Sequence, residues 1–520
     1  MANGYDIAQA TFPYQGFMKM APHRVLITPE DCSSTIGTIL PWLGFTLLQF
    51  SFDVNVVFIQ SPPPIWEKIG IHMDTSPVTG LMGYGKLQDQ DMVLTLSIGL
   101  QSAECWHGKI FMSNLLGKPT VVSADAELNR FILQADSRLF EPGWSRSIGE
   151  VLGKHSILLQ VGDAHKKMRS INLNFANNGK LKTPFLRDAY RIAAFVMSSW
   201  KNDSVVLGKY EARKLCFHMM AKNILSLEPG TPVTEKLRKE YEAFAKGVVS
   251  LPLNLPGTAY SKALKARSYI LEVVWQCMEE RLCRKKDVEE EDAKDDLLQW
   301  TLENSNYSEE QIGDLILGTF FGGYNTTSKA IALAIYFLGG CPKTVEQLRE
   351  EHDRIVQGKR RGGNSELSCD DYKQMEFTQC VINETLRLGN IVPYIQRKAS
   401  THIKFKGYDI PQGCNVMAVL PAVHLDPSFF ESPEQFNPWR WQSDHGIRRT
   451  NNFMAFGGGA RLCPGAVLGR MEMAVFLHHL VINFNWELAE PDLPMAFPSL
   501  DFPKGLPIKV RLLSNPQVSM

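Results

Sequence analysis

The sequence predicts a mainly α-helical domain with small β-sheets, arranged around one long internal helix. Three observations carry that reading. Helix-period apolar residues recur from the end of an early hairpin to roughly residue 350, interrupted only by short loops. Ser308 and Gln311 form a capping-box signature, and Gly339, Gly340 and Pro342 mark a stop. The helix so bracketed spans about 30 residues, or roughly 45 Å at the usual rise. The strand-like stretches, finally, are short pairs bounded by turn residues, without a regular strand–helix–strand alternation.

Composition agrees. The chain has 520 residues, is 44% hydrophobic and carries a formal net charge of zero. That suits a folded protein with a large core and excludes a disordered or fibrous one. The balanced charge, with no long basic stripe, argues against nucleic acid as a partner. The ten cysteines are scattered, without a CxxC pair or zinc-type Cys/His spacing, so all but one read as reduced, buried thiols.

Taken in order along the sequence, residues 1–106 differ in composition from the rest and form a divergent N-terminal segment. Residues 32–52 carry no charge, and TILPWLGFTLLQFSF (38–52) is apolar enough for a membrane anchor, with SPPP (61–64) as a stiff hinge. Pro41 and Gly44 interrupt the run, so a buried hairpin is the competing reading. No cleavable signal peptide is recognisable. Residues 107–520 read as one domain. It begins with KIFMSNLLGKPTVVSA (109–124), a β-hairpin around a Gly-Lys-Pro turn. RKKDVEEEDAKDD (284–296), basic then acidic, reads as a solvated loop between helices. The bracketed helix holds Asp314, Lys329 and a polar centre, which makes it a buried helix rather than a membrane span. HIKFKGYDIPQGCNVMAVL (402–420) reads as short strands joined by Gly-Tyr-Asp and Pro-Gln-Gly turns, and KGLPIKVRLL (504–513) as a last strand.

The most informative stretch is FMAFGGGARLCPGAVLGRMEMAVFLHHLV (453–481). Phe456, Gly459, Arg461, Cys463 and Gly465 follow the pattern F-x-x-G-x-R-x-C-x-G. The glycines, Gly457 among them, let the backbone pass close to a flat cofactor. Cys463 directly precedes an amphipathic helix, whose N–H groups and dipole favour a thiolate. A thiolate is the axial ligand with which a haem iron pushes electron density toward bound oxygen. Arg461 is placed to pair with a haem propionate. The competing reading, a glycine loop beside a buried cysteine, needs five coincidences at fixed spacing.

On these residues the chain resembles the cytochrome P450 family of haem-thiolate monooxygenases, from roughly His107 to the C-terminus. The resemblance implies the P450 fold, a long central helix over one haem b, and Cys463 as the iron's axial ligand. It also implies O2 as co-substrate and electrons from NADPH through a separate cytochrome P450 reductase. Glu384 and Arg387 match the family's ExxR, and Arg440, in FNPWRW (436–441), completes what the resemblance implies is a buried structural charge cluster. Alone, Glu384 and Arg387 would be an ordinary surface ion pair. Arg397 and Arg169 match propionate contacts. His165 stands where the family usually has tryptophan and can still donate to a carboxylate. The spacing of His165 and Arg169 equally suits an exposed amphipathic helix.

The resemblance also accounts for FGGYNTTSKA (321–330) inside the bracketed helix. Glycine, asparagine and threonine are poor choices for a buried helix. Residues Gly322 to Thr327 match the family's [A/G]-G-x-[D/E]-T-[T/S], where small residues admit dioxygen and substrate. Thr326 would hydrogen-bond bound oxygen or a water. Asn325 replaces a proton-relaying acid and can only orient water. Three readings stay open: a monooxygenase taking protons through Thr326 and water, a haem-thiolate isomerase or dehydratase, and a non-catalytic haem protein. Retention of Thr326 favours the first.

The similarity is greatest to plant brassinosteroid-biosynthetic steroid 22-alpha-hydroxylases, the dwarf type. VSADAELNRFILQ (122–134), PLNLPGTAY (252–260), TQCVINETLRLGN (378–390) and VINFNWELAE (481–490) carry it. It implies a campesterol or campestanol-type sterol substrate, hydroxylated at C-22 of its aliphatic tail, with another steroid position or a terpenoid as alternative. Substrate walls are implied at Phe140–Ile148, Phe320–Thr327, Ile391–Tyr394 and Phe502–Leu506. An endoplasmic-reticulum membrane location with the catalytic domain in the cytosol is implied too. Lys166, Lys167, Arg448, Arg449 and Arg470 are candidate basic contacts for the reductase.

Overall fold

The computed structural model describes residues 108–513, apart from 116–117, 145, 285–294, 363–365, 443–451 and 496–499. The expected anchor and hinge therefore lie outside the described residues. Among the described residues, no helix is long and apolar enough to cross a membrane.

The expected hairpin forms: β1 (Ile110–Leu115) and β2 (Lys118–Ser123) pair antiparallel, with Phe111 opposite Val122. A helical region follows, made of α1 (Ala126–Gln134), β3 (Phe140–Pro142), α2 (Arg146–Leu152), α3 (Gly162–Asn177), α4 (Gly179–Met197) and β4 (Val205–Leu207). It continues through α5 (Gly208–Leu225), α6 (Pro232–Val248), α7 (Ala259–Arg284), α8 (Leu297–Asn304), α9 (Glu309–Gly339), α10 (Pro342–Gly362), α11 (Cys369–Gln374) and α12 (Glu376–Gly389). The last part alternates short elements: β5 (Tyr394–Ala399), β6 (Ile403–Phe405), β7 (Tyr408–Ile410), β8 (Asn415–Val419), α13 (Leu420–His424), α14 (Ala466–Asn483), β9 (Phe484–Leu488) and β10 (Pro507–Leu512).

Three sheets result, ordered β1-β2-β8-β5-β3, β4-β10-β9 and β6-β7. β2 and β8 run parallel, with Val121 opposite Val416, so the largest sheet joins early and late parts of the described sequence. The strands at 402–420 and 504–513 are where the sequence predicts them. β3, β4 and β5 are additional; at three to six residues they have too little periodicity to stand out, and non-local pairing creates them.

α9 organises the helices. Ser308 Oγ accepts the Gln311 N–H at 3.3 Å and Gln311 Oε1 accepts the Ser308 N–H at 3.0 Å, the expected capping box. Asp314 is buried on it, paired with Arg267 Nη2 at 2.7 Å and accepting the His155 N–H at 3.0 Å. Gly153, at φ +95°, makes room there, since a Cβ would lie 1.8 Å from Asp314 Oδ1. One face of α9 packs aromatic rings against α5 and α6, with Tyr324 and Tyr241 centroids 5.1 Å apart and Phe320 and Phe217 at 5.8 Å.

Two expectations need correction. The stretch 284–296 is not solvated throughout: Asp296, its last residue, is 2% exposed. Its carboxylate caps α8 through the Gln299 N–H at 2.9 Å and holds Arg281 in a fork at 2.6 and 2.7 Å. α14 is not amphipathic either, because Met471 to Asn483 are buried on every side.

Buried neutral histidines set an acid limit on this fold. Burial pushes His352 and His424 down to about 3 and His479 to about 4, from an ordinary 6.5. Between those values the unfolded protein binds more protons than the folded one. Stability therefore falls as pH drops below 6.5. The thermal midpoint is expected to decline steadily between pH 6.5 and about pH 4.5; a flat midpoint over that range would contradict the burial argument.

Candidate active site

The cysteine loop is built by its own backbone. Cys463 N–H donates to Phe456 O at 2.9 Å and Gly457 N–H to Met454 O at 2.8 Å, which curls residues 454–463 into a tight bend ahead of α14. Gly457 and Gly459 sit at φ +75° and +60°, a region closed to most side chains. At Gly459 a Cβ would also meet Leu133 O at 2.6 Å. That glycine thus lets the loop seat on the end of α1, a reason different from the expected approach to a flat cofactor. Gly465 has ordinary φ, and a Cβ there would lie 4.0 Å from Cys463 Sγ.

Cys463 is half-buried just before the first turn of α14. Burial raises its thiol above the ordinary 9.0, while the Gly465 N–H and the charge of Arg169 pull the other way. The helix end alone therefore does not make a thiolate; burial wins. A bound cation at sulfur would reverse that balance.

Around this loop the fold assembles cations without anions. His165 and Arg169 share α3, Arg397 comes from β5 and Arg461 from the cysteine loop. α3 is amphipathic, with His165 on its buried face, Arg169 half-buried and Lys166 and Lys167 exposed; Arg397 is buried on β5. Arg461 donates to Gln160 O, Arg169 to Leu462 O, and Arg397 Nη1 to Gln396 O at 3.1 Å. Burial first, then Arg461, brings Arg397 down to about 10. Burial, then Arg461, Arg169 and Arg397, pushes His165 down to about 4. Among the described residues no carboxylate lies within 4.0 Å of these three guanidinium groups. Buried cations that repel one another call for an external anion. A dicarboxylate such as haem fits that donor set, beside the one half-buried cysteine of the loop.

On α9 the polar centre resolves into distinct jobs. Thr326 Oγ1 donates to Gly322 O at 2.6 Å, within the helix ladder. Thr326 and Gly322 are exposed although most of α9 is buried, and a Cβ on Gly322 would meet nothing within 4 Å. Gly323 does the opposite: a Cβ there would lie 2.2 Å from Met220 Sδ of α5. One glycine opens a surface and its neighbour closes a helix contact. Asn325 is half-buried, and its carbonyl accepts the Ser328 hydroxyl at 3.2 Å.

Of the other implied substrate walls, Phe140, Phe320, Phe502 and Leu506 are core residues. Trp144, Val392 and Tyr394 are the exposed apolar groups in those segments. The expected docking charges divide as well. Lys166 and Lys167 are exposed, Arg448 and Arg449 lie outside the described residues, and Arg470 is half-buried with its guanidinium 5.1 Å from the Phe456 ring centre.

The implied charge cluster is present and buried. Glu384 and Arg387 on α12 are 0% exposed and form a two-pronged pair at 2.8 and 2.9 Å. Arg440 Nε reaches Glu384 Oε1 at 3.0 Å. Two further partners are not legible in the motif: Trp441 Nε1 donates to Glu384 Oε2 at 2.9 Å and the Asn437 N–H to Oε1 at 3.0 Å. Neither is the part played by His424. Its Nε2 accepts the Met454 N–H at 2.9 Å, its Nδ1 donates to Asn390 Oδ1 at 2.7 Å, and its carbonyl accepts Arg387 Nη1 at 2.8 Å. This one neutral ring ties the cysteine loop to α12. Its only sequence signal is a histidine beside a proline-started short helix, too common to single out.

The sequence and the fold are similar to those of known proteins. A family model described as Cytochrome P450 matches residues 87–506. A cholesterol 16,22-dihydroxylase of Trigonella foenum-graecum is 51% identical over 422 residues, 80% of this chain and 87% of that protein. A steroid (22S)-hydroxylase of Oryza sativa subsp. japonica is 53% identical over 415 residues, covering 79% and 81%. A cholesterol 22-monohydroxylase of Paris polyphylla is 54% identical over 409 residues, covering 78% and 86%. Among solved structures, retinoic acid-bound cyanobacterial CYP120A1 superposes with a TM-score of 0.71 at 25% identity, over 79% of this chain and 94% of that one.

Proposed function

The chain belongs to the cytochrome P450 family, and from that premise we propose that it hydroxylates the aliphatic tail of a sterol at C-22. The observation that carries the reading is the group of Arg461, Arg397 and Arg169, with the neutral donor His165, gathered around the Cys463 loop without a carboxylate partner, together with the open Gly322 and Thr326 positions of α9. Campesterol, a campestanol derivative or cholesterol are the substrates to try, with brassinosteroid biosynthesis as the setting for the first two.

Cys463 Sγ would hold the iron of haem b, and the three guanidinium groups, with neutral His165 as a hydrogen-bond donor, would hold its propionates. Haem with a thiolate ligand supplies the activation of O2 that unaided amino-acid side chains lack. Gly322 leaves room for the sterol tail against α9. Thr326 Oγ1, its hydrogen committed to Gly322 O, offers lone pairs to a donor on the open side. That arrangement serves proton delivery, and together with hydroxylase relatives it favours oxygenation over rearrangement or mere haem storage.

Electrons would come from NADPH through a flavoprotein reductase, for which Lys166 and Lys167 are exposed basic contacts. Residence on the endoplasmic-reticulum membrane is part of the same proposal. Val249, Leu251, Leu253 and Leu255, 54–65% exposed between α6 and α7, support it as an apolar cluster suited to lipid.

The test is incubation of haem-loaded protein with reductase, NADPH and each sterol. The expected product is the 22-hydroxysterol, absent when NADPH is left out. Oxidation at another carbon would overturn the regiochemistry, and product formed without NADPH would overturn the monooxygenase reading.

A further inference from the structure

Inserting one atom of O2 into a C–H bond and releasing the other as water consumes two electrons and two protons per turnover. The protons must cross a mostly apolar interior, and Asn325 cannot ionise to pass them. Residues three, four and seven apart share one side of a helix, so Gly322, Asn325, Thr326 and Lys329 form a single stripe on α9. Lys329 is therefore one turn from Asn325, half-buried, on the side that Gly322 leaves open.

Three other charged groups face Lys329: Asp501, from the segment before β10, and Lys209 and Arg213 from α5. Lys209 Nζ lies 2.8 Å from Asp501 Oδ1 and also donates to Phe502 O at 2.9 Å. Arg213 Nη2 lies 3.7 Å from the same Asp501 oxygen. Two cations thus pair with one carboxylate whose charge also acts on Lys329, and the Asp501 side chain is 48% exposed. The cluster reaches solvent at Asp501.

We propose that Lys329 is the proton source on the oxygen side of α9, handing protons through water held by the lone pairs of Thr326 Oγ1. The inference rests on the monooxygenase reading above. In each transfer a Lys329 N–H bond breaks and its proton passes along water that donates to the Thr326 Oγ1 lone pairs, toward the reacting oxygen. The amine regains a proton from hydronium at the exposed edge of Asp501, so the residue returns to its starting state. The electrons remain those of NADPH. Lys329 acts only through the water that Thr326 holds. Burial, then Arg213 and Lys209 against the pull of Asp501, brings its ammonium down to about 8 from an ordinary 10.5, within reach of release near neutrality.

The decisive variant is Lys329→Arg, because arginine keeps the charge opposite Asp501 but does not release a proton. Haem-loaded protein with reductase, NADPH and sterol is expected to lose product per NADPH consumed by at least about tenfold, with peroxide rising in step. Adding Asn325→Asp to Lys329→Arg restores an acid on the stripe and is expected to recover most of that ratio. In the parent protein the ratio should fall as pH rises past about 8, and in the rescued double variant that fall should vanish. A second readout needs no substrate: competitive acetylation of Lys329 across pH, followed by mass spectrometry, should titrate near 8. Unchanged coupling in Lys329→Arg, or a Lys329 that titrates like an ordinary lysine, overturns the inference. Absence of 22-hydroxysterol from the parent protein overturns the sterol reading alone and leaves the acetylation result standing.

Discussion

Cys463→Ala is expected to abolish turnover and to remove the thiolate absorption band of the reduced carbon monoxide complex. The loop's hydrogen bonds are made by backbone: the position 463 N–H on Phe456 O at 2.9 Å and Gly457 N–H on Met454 O do not involve the sulfur. Alanine therefore keeps the bend, and the folded protein is expected to survive with a thermal midpoint close to that of the parent. What disappears is the only ligand the loop offers. Because burial holds the free thiol above 9.0, the thiolate itself depends on the iron, and the iron's electronic state depends on the thiolate. A variant that still shows the thiolate band would transfer the ligand assignment to another residue.

Glu384→Gln is expected to cost about 3–5 kcal/mol of folding free energy, since it leaves buried cations without their counter-charge. Glu384 accepts from Arg387, Arg440, Trp441 and the Asn437 N–H, and its side chain is 0% exposed. Glutamine fills the same volume, so packing is not the variable. It removes the charge and turns one acceptor oxygen into a donor facing other donors. Urea unfolding should show a lower midpoint at an unchanged slope. The same variant should hold less haem, because Arg387 Nη1 fixes the His424 carbonyl and the His424 ring fixes Met454 at the head of the cysteine loop. An unfolding free energy within about 1 kcal/mol of the parent's would mean that water reaches the cluster and the charges are not buried together.

What is legible in the sequence is local or stereotyped. The ends of α9 can be read because a capping box and a glycine stop are settled within a few residues. Its polar centre can be read as functional because no packing need explains Thr326 and Gly322. Gly323, identical in type and adjacent, serves packing against Met220, and only the neighbouring helix reveals that. The acidic end of 284–296 looks solvated in sequence because Arg281, which pairs with Asp296, lies on another helix. Phe320, Phe502 and Leu506 belong to segments that imply substrate walls, yet each points into the core. The place of Cys463 before α14 suggests a thiolate; desolvation, invisible in sequence, outweighs the helix end.

The largest sheet has a consequence for the protein's birth. β1 and β2 leave the ribosome early, whereas the strand that pairs with β2 in parallel, β8, begins only at Asn415. At a synthesis rate of roughly 5–20 residues per second, the edge of β2 waits some tens of seconds for its partner. During that wait, the adjacent Val121 and Val122 sit beside unsatisfied backbone donors and acceptors on that edge, an arrangement prone to pair with a strand from another nascent polypeptide. Chaperone capacity during translation, rather than the stability of the finished molecule, is then what governs how much soluble protein a host yields.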